Sequence, residues 1–338
     1  MASLPTFSFH TTAEQVADSC ADIIRGKNVL VTGTSLNGIG YETARVVAKY
    51  ANLVIITGYN EERLKLTEAE IKKSVPSAKV RRLALNLLSQ AAVREAAAEV
   101  NAYSEPIHVL INNAAASAAI NDGAKSQRTP DLDVDVQWAT NHFGPFLFTK
   151  LLLPKLYAAA RASPGFTPRV VWVSAKGHQF GGGVDLDNLG RPDPEAEGYS
   201  LMNVYFATKS ANIMIASEMA RRAAGKVNAY SLHPGVIFTN VFMRMKETNS
   251  FPAEMSTIGI VNEQGDPVSD KFPWKSIEEG AASTVAAAFD PRLDATPGAY
   301  IDDCNVAMEE IAPHTADPSK AARLWSLTEE MIGEKFEF

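Results

Sequence analysis

Tyr205 and Lys209 stand four residues apart in the segment YFATK, a spacing that places both side chains on one face of a helix. A tyrosine phenol ionises near pH 10 and is a poor acid–base group at neutral pH. A lysine ammonium beside it would lower its pKa and suit it to proton transfer. The pair therefore indicates acid–base chemistry, although the pentapeptide alone also fits an ordinary surface tyrosine and lysine.

A glycine-rich turn, GTSLNGIG at positions 33–40, follows an apolar stretch and opens into a helix-forming segment. Glycines let the backbone turn tightly and approach a pyrophosphate, whose charge then lies on the N–H groups of a helix N-terminus. A tight loop that uses glycine only for left-handed geometry is the alternative. The residues predicted to bind the phosphates of a dinucleotide are Gly33, Ser35, Asn37, Gly38, Ile39 and Gly40.

Polar residues or turns stand where three further strands are predicted to end. Ser174 closes RVVWVS, Asn113 and Ala114 follow VLIN, and Pro234 is the second residue after KVNAYSL. The carboxyl ends of parallel strands meet at one edge of an open α/β sheet, where ligands bind. Asn141 lies in a predicted helix between two of these strands, so it can approach the same edge.

Short β-branched runs alternate with helix-forming stretches along the chain. The pattern predicts strands at 27–32, 53–57, 80–85, 109–112, 169–174 and 226–232, and helices at 40–50, 61–75, 91–103, 134–161 and 204–224. Runs that are apolar throughout are buried on both faces, which is typical of a parallel sheet. The alternation predicts an α/β fold, with one domain over residues 1–338 built on a doubly wound parallel sheet (a Rossmann fold).

The stretch 236–278 differs from the rest because it lacks clear periodicity and contains three prolines. A long irregular segment inside a compact domain is usually functional or disordered. Its large apolar residues predict a substrate-covering lobe and a hydrophobic or aromatic substrate, although they could instead only pack the lobe onto the core. These residues are Phe238, Phe242, Met243, Met245, Phe251, Met255, Phe272 and Trp274.

The composition excludes several classes of protein. With 338 residues, 46% of them hydrophobic, and a net charge of −7, the chain can bury a large core and is not predominantly disordered. A mildly acidic chain without a clustered basic face does not favour nucleic-acid binding. No apolar run approaches the ~20 residues of a membrane helix.

Metal and disulfide chemistry are not indicated either. The six histidines are scattered without metal-ligand spacing, and the two cysteines, Cys20 and Cys304, form no motif. Two cysteines are too few for a disulfide scaffold, which fits a reducing compartment. The N-terminus lacks the basic-then-apolar pattern of a secretory signal, so we expect a cytoplasmic protein.

The ordered motifs from about Gly26 to Gly235 resemble those of the short-chain dehydrogenase/reductase family. Within it, the segments 141–149 and 205–212 and the long insertion 178–202 are similar to the retinol-dehydrogenase-like branch. The resemblance implies an NAD(P)-dependent oxidoreductase that interconverts a carbonyl compound and an alcohol by hydride transfer.

The resemblance further implies a catalytic tetrad of Asn141, Ser174, Tyr205 and Lys209. Tyr205 would protonate the carbonyl oxygen, and Ser174 would hold that oxygen. Lys209 would lower the pKa of Tyr205 and bond the nicotinamide ribose, while Asn141 would help to position Lys209 through a water. Besides Tyr205 and Lys209, the cofactor contacts outside the glycine turn would be Asn60, Asn86, Leu87, Asn113, Ala114, Pro234, Ile237 and Thr239.

Three positions depart from the family pattern. The glycine turn has an extra residue between its first two glycines, Asn86 stands where an aspartate is usual beside the adenine, and Ala115 replaces a glycine near the nicotinamide. None of these changes removes a reacting group.

The end of the second strand bears on the choice of cofactor. It carries Tyr59 and Asn60 and no carboxylate, which an NAD-specific protein would use to bind the ribose diol. We therefore expect NADP(H) in preference to NAD(H). The arginine that NADP-using relatives often carry at position 59 is absent. Asn60, Thr34 or Ser35 could bond the phosphate, and Arg63 or Arg82 could reach it, although the spacing dictates none of them. With NAD(H), Glu61 or Tyr59 would bind the diol.

The first hypothesis is thus a carbonyl reductase or alcohol dehydrogenase acting on a small molecule. A catalytically idle cofactor-binding protein that acts through partners is the alternative, and a dehydratase or epimerase of the same family is a third. The sequence leaves both a monomer and a homo-oligomer open.

Overall fold

The computed structural model describes residues 4–117, 127–248, 251, 253–270 and 272–338. In these residues eight strands form one sheet: β1 (Asn28–Val31), β2 (Leu53–Gly58), β3 (Val80–Ala84), β4 (Val109–Asn112), β5 (Arg169–Val173), β6 (Asn228–Leu232), β9 (Tyr300–Asp302) and β10 (Asn305–Val306). Their order in the sheet is β10-β9-β6-β5-β4-β1-β2-β3, and all neighbours are parallel except β10, which runs antiparallel to β9. Two short strands, β7 (Val236–Ile237) and β8 (Trp274–Lys275), pair separately.

Helices cover both faces of the sheet, because successive strand residues point to opposite sides and both sides are apolar. The helices are α1 (Ala13–Ser19), α2 (Ala21–Ile24), α3 (Ile39–Val47), α4 (Glu61–Ser74), α5 (Gln90–Ala102), α6 (Val136–Trp138), α7 (Gly144–Leu151), α8 (Leu153–Ala162), α9 (Leu201–Ala223), α10 (Asn240–Thr248), α11 (Ala253–Ile258), α12 (Ile277–Gly280), α13 (Ala282–Phe289) and α14 (Pro318–Ile332). In β1, Leu30 belongs to the core cluster that includes residues of α5, α7, α9 and α14, whereas Val29 and Val31 belong to the cluster that includes residues of α1, α3, α4 and α13.

The strand order reverses direction at β1. The chain passes from β1 outward through β2 to β3 and then returns to place β4 on the other side of β1. A crevice forms at the carboxyl edge where the order reverses, and ligands of open α/β sheets bind there. The predicted doubly wound parallel sheet is confirmed, and the glycine turn after β1 lies at its switch point.

The structure differs from the sequence prediction in the lobe. The stretch 236–278 was expected to be irregular, but it contains the strands β7 and β8 and the helices α10 and α11. These helices are short, at nine and six residues, so each offers too few turns for its period to be recognised in the sequence. The predicted helix over 134–161 is also broken into α6, a π-helical turn at Ala139–Phe143, α7 and α8.

Candidate active site

The glycine turn packs directly against the end of β4. Gly33 has a φ of +70°, and a Cβ added there would lie 2.7 Å from the Cα of Ala114. A Cβ on Gly40 would lie 2.4 Å from Nδ2 of Asn113 and from the carbonyl oxygen of Gly33. Close approach therefore requires glycine at both positions, and the positive φ requires it at Gly33 as well.

Asn113 holds this turn in place. Its Nδ2 donates to the carbonyl oxygens of Thr32 (2.8 Å) and Gly33 (2.9 Å). In return, Oγ1 of Thr32 accepts from the backbone N–H groups of Asn113 and Ala114, each at 3.0 Å. The side chain predicted to contact a cofactor thus serves in this structure to join β1 and β4 beside the turn.

The N-terminus of α3 has no side-chain cap. Gly38 occupies the N-cap position without a side chain, and Asn37 before it has a φ of +59°. The first N–H groups of a helix have no partner within the helix, and those of α3 therefore suit an anion. Together with the close-packed glycines, this cradle fits a dinucleotide pyrophosphate.

Two predicted adenosine contacts follow β2 and β3. Asn60 is exposed and caps α4, with its Oδ1 accepting from the N–H of Arg63 at 3.0 Å. Asn86 is also exposed, and its Oδ1 accepts from the N–H of Leu88 at 3.1 Å. In each amide the oxygen therefore accepts a hydrogen bond within a local turn, and the NH₂ group takes no part in that bond. Leu87 is buried, and its carbonyl oxygen lies against Gly144.

Residues after β6 connect the lobe to the glycine turn. Pro234 and Ile237 are buried, and Thr239 is half-buried just before α10. The first residue of α10, Asn240, donates its backbone N–H to the carbonyl oxygen of Asn37 (3.2 Å) and its Nδ2 to that of Leu36 (3.3 Å). Sequence analysis missed Asn240, since nothing local to it signals a partner 204 residues away.

Tyr205 and Lys209 lie on α9, as their spacing predicts. Ser200 is the N-cap of this helix, and its hydroxyl accepts from the N–H of Asn203 at 3.1 Å. Lys209 is buried, and its Nζ lies 5.3 Å from the ring centroid of the half-buried Tyr205. The same ammonium donates to the carbonyl oxygen of Val173 at the end of β5, at 2.9 Å. The pair is thereby brought to the carboxyl edge of the sheet.

The pKa values of these two groups are governed by burial. Burial raises the pKa of Tyr205 to about 12 and lowers the pKa of Lys209 from 10.5 to about 8, because burial disfavours the charged form of each. The lowered phenol pKa expected from the neighbouring ammonium is therefore not found in this structure. The ammonium lies over the ring and donates to a carbonyl oxygen, and desolvation is the cause of the raised pKa of the phenol.

Asn141 lies in the π-helical turn Ala139–Phe143 and is 1% exposed. Its Oδ1 accepts from the N–H of Ala116 (2.7 Å), and its Nδ2 donates to the carbonyl oxygen of Ala116 (2.9 Å) and to Oγ1 of Thr208 (3.0 Å). Thr208 precedes Lys209 on α9 and donates in turn to the carbonyl oxygen of Tyr205 at 2.7 Å. Asn141 therefore joins the loop after β4 to the helix of the Tyr–Lys pair; π-helical turns often occur at functional sites.

Ser174 follows β5 and is 2% exposed. Its hydroxyl donates to the carbonyl oxygen of Lys209 at 2.7 Å. Ala175 after it has extended backbone, so its side chain points away from that of Ser174 and offers only a methyl group. The structure thus directs the hydroxyl of Ser174 to Lys209, whereas the resemblance implied a bond to a substrate oxygen.

Nothing in the described part of the chain adds a metal or a membrane helix to this site. Its histidines, cysteines and carboxylates form no group of three or more that could hold a metal ion. Among the helices in the described ranges, none is long and apolar enough to cross a membrane.

Comparisons with known proteins agree with this architecture. The short chain dehydrogenase family model matches residues 27–176. The short-chain dehydrogenase TIC 32 B, chloroplastic, of Brassica napus is 31% identical over 327 residues, which cover 95% of this chain and 93% of the relative. The short-chain dehydrogenase/reductase prx1 of Penicillium rubens is 32% identical over 321 residues, covering 92% of this chain and 86% of the relative.

Solved structures share the fold. A 3-oxoacyl (acyl-carrier-protein) reductase from Agrobacterium tumefaciens with NADP bound superposes with a TM-score of 0.58 at 22% identity, covering 83% of this chain and 95% of that one. L-Sorbose reductase from Gluconobacter frateurii, complexed with NADPH and L-sorbose, gives 0.57 at 16% identity, covering 82% and 96%. With relatives at 31–32% identity along nearly its whole length, the chain belongs to the short-chain dehydrogenase family.

Proposed function

We propose that this protein interconverts a hydrophobic carbonyl compound and its alcohol by hydride transfer, with Tyr205 as the acid–base group. One observation carries the proposal. Tyr205 lies beside Lys209 and packs against an apolar cluster to which both α9 and the lobe contribute residues. A proton-transfer group that lies between a lysine ammonium and an apolar surface suits a substrate with a polar reacting end and an apolar body.

Each polar residue has a role that follows from its contacts. Tyr205, with a pKa raised to about 12, is protonated at neutral pH and can donate to a carbonyl oxygen. A bound nicotinamide dinucleotide would supply or accept the hydride. Lys209 is proposed to stabilise the phenolate that remains and to bond the ribose, and Asn141 to hold α9 through Thr208.

The substrate class is proposed from the composition of the lobe cluster. Ring contacts at centroid separations of 5.3–6.2 Å join Phe242 to Phe238, Phe251 and Trp274, and join Phe238 to Trp274. Phe242, Phe251 and Trp274 are partly buried against the same group of residues as Tyr205. The alternative, that the cluster only packs the lobe onto the core, predicts no preference among substrates of equal reactivity.

NADP(H) is proposed over NAD(H) from the charges near the end of β2. Glu61 is the nearest carboxylate after that strand, and it pairs with Arg82 at 2.8 Å. Arg82 also pairs with Glu68 at 2.9 Å, so Glu61 and Arg82 both already have ion-pair partners. Arg63 is exposed in the first turn of α4 and is the cation that we propose for a 2′-phosphate.

The proposal is tested by following cofactor absorbance at 340 nm with a panel of aliphatic and aromatic ketones, aldehydes and alcohols. We expect turnover that favours apolar substrates, with kcat/KM higher for NADPH than for NADH. Cofactor binding without turnover of any panel member would favour the idle binding protein instead. A tenfold preference for NADH, equal to about 1.4 kcal/mol in the transition state, would contradict the cofactor assignment.

Three further expectations remain predictions. These are the retinol-dehydrogenase-like branch, a cytoplasmic location and a single domain over 1–338. One relative is described as chloroplastic, so the location has to be determined by imaging the protein in cells. Gel filtration of the purified protein distinguishes a monomer from a homo-oligomer.

A further inference from the structure

Two hydrogen bonds in opposite directions join the end of β5 to Lys209. The lysine ammonium donates to the carbonyl oxygen of Val173 at 2.9 Å. The hydroxyl of the next residue, Ser174, donates to the backbone carbonyl oxygen of Lys209 at 2.7 Å. Both ends of the lysine residue, its side-chain nitrogen and its backbone oxygen, are therefore held by two consecutive residues at the carboxyl edge of the sheet.

The direction of the second bond decides what Ser174 can do. A substrate carbonyl oxygen, or the alkoxide formed from it, needs a hydrogen-bond donor. A serine hydroxyl has one proton, and in Ser174 that proton is already directed at a carbonyl oxygen of α9. Since the side chain is also buried, the bond is shielded from competing water, and breaking it would leave a buried polar group without a partner.

We infer that Ser174 is a positioning residue that acts through Lys209. By holding the backbone of residue 209 against β5, it fixes where the ammonium lies relative to the phenol of Tyr205 and to a bound ribose. The inference rests on the proposed function and changes one part of it, because the reacting oxygen then receives its proton-donating bond from Tyr205 without help from Ser174.

The test compares Ser174→Ala with Ser210→Ala, a matched loss of a buried hydroxyl. Ser210 is the residue after Lys209, and its hydroxyl also donates to backbone carbonyl oxygens, those of Phe206 (3.2 Å) and His178 (3.4 Å). The dissociation constant for NADPH is measured by ligand fluorescence, and the pH dependence of kcat/KM is measured for alcohol oxidation. Ser174→Thr, which keeps a hydroxyl, serves as the rescue variant.

We expect Ser174→Ala to weaken NADPH binding by about three- to tenfold, since the lysine is proposed to bond the ribose. It should also shift the pH at half-maximal kcat/KM by about half a unit or more, since the displaced lysine lies against the phenol ring. Ser210→Ala should leave both quantities unchanged, and Ser174→Thr should bind NADPH within about twofold of wild type.

A serine that bonds the reacting oxygen would behave differently. Ser174→Ala would then lose about 100-fold or more in kcat with unchanged NADPH affinity and an unchanged pH profile, which would overturn the inference. Equal effects of Ser174→Ala and Ser210→Ala would overturn it as well. Failure of the proposed function is separate, because it would appear in the wild-type protein as absent NADPH binding or absent turnover.

Discussion

Replacing Lys209 by methionine tests whether the lysine is buried as the structure shows. Lys209 is 2% exposed, and burial lowers its pKa from 10.5 to about 8. Methionine has a similar unbranched shape and no charge, so Lys209→Met removes the titrating group with little change in packing.

The expected effect is a dependence of stability on pH that the variant lacks. Between about pH 8 and 10.5 the unfolded chain keeps the lysine proton while the folded protein has released it. The unfolded state therefore binds more protons, and the free energy of unfolding rises with pH. At about 1.4 kcal/mol per pH unit in the fully separated range, the wild-type protein should gain about 2 kcal/mol relative to Lys209→Met between pH 7.5 and 10.

The assay is urea unfolding of both proteins without cofactor at half-unit steps from pH 7.5 to 10. The series ends at pH 10 because the raised pKa of Tyr205 takes stability away again above that point. Lys65→Met is the control, since Lys65 is exposed on α4 and should give a constant difference. A constant difference for Lys209→Met as well would refute the burial of the ammonium and the pKa assigned to it.

Other substitutions address the cofactor and the substrate separately. Gly33→Ala should weaken NADPH binding at least about tenfold, because residue 33 has a φ of +70° and the new methyl group would meet Ala114; fluorescence titration measures it. Arg63→Ala should lower kcat/KM for NADPH about fivefold or more through the loss of a charge-assisted bond and leave the value for NADH unchanged; equal losses with both cofactors would contradict the 2′-phosphate role. Phe242→Ala should raise KM for an apolar ketone about tenfold without changing NADPH affinity, because its ring packs on Trp274 at 5.3 Å in the lobe cluster; an unchanged KM would favour a packing role alone.

Six of the eight strands of the sheet and the helix of the Tyr–Lys pair were predictable because they depend on local patterns, whereas β9 and β10, of three and two residues, were missed. The strand Val109–Asn112 was placed to the residue, and the spacing of Tyr205 and Lys209 is itself a helical period. The C-terminal helix α14 was missed, although Leu324, Trp325 and Thr328 follow the spacing of a buried helix face.

What the sequence could not reveal is the direction of side chains over long separations. Ser174 and Lys209 are 35 residues apart, and no local pattern states whether a hydroxyl at a strand end points to a helix or to a ligand. The direction of the pKa shift of Tyr205 was also beyond the sequence. Its spacing from Lys209 predicts a lowered pKa, whereas burial of the phenol in the packed structure raises the pKa.

The central claim, that Tyr205 transfers the proton, is tested most directly by comparing kcat and NADPH affinity in wild type and Tyr205→Phe. Acid–base catalysis contributes about 10²–10⁴-fold to rates, so kcat should fall at least about 100-fold while the dissociation constant for NADPH stays within about twofold. A Tyr205→Phe protein that folds, binds NADPH and turns over the same substrate at a near-wild-type rate would contradict the assignment of the site.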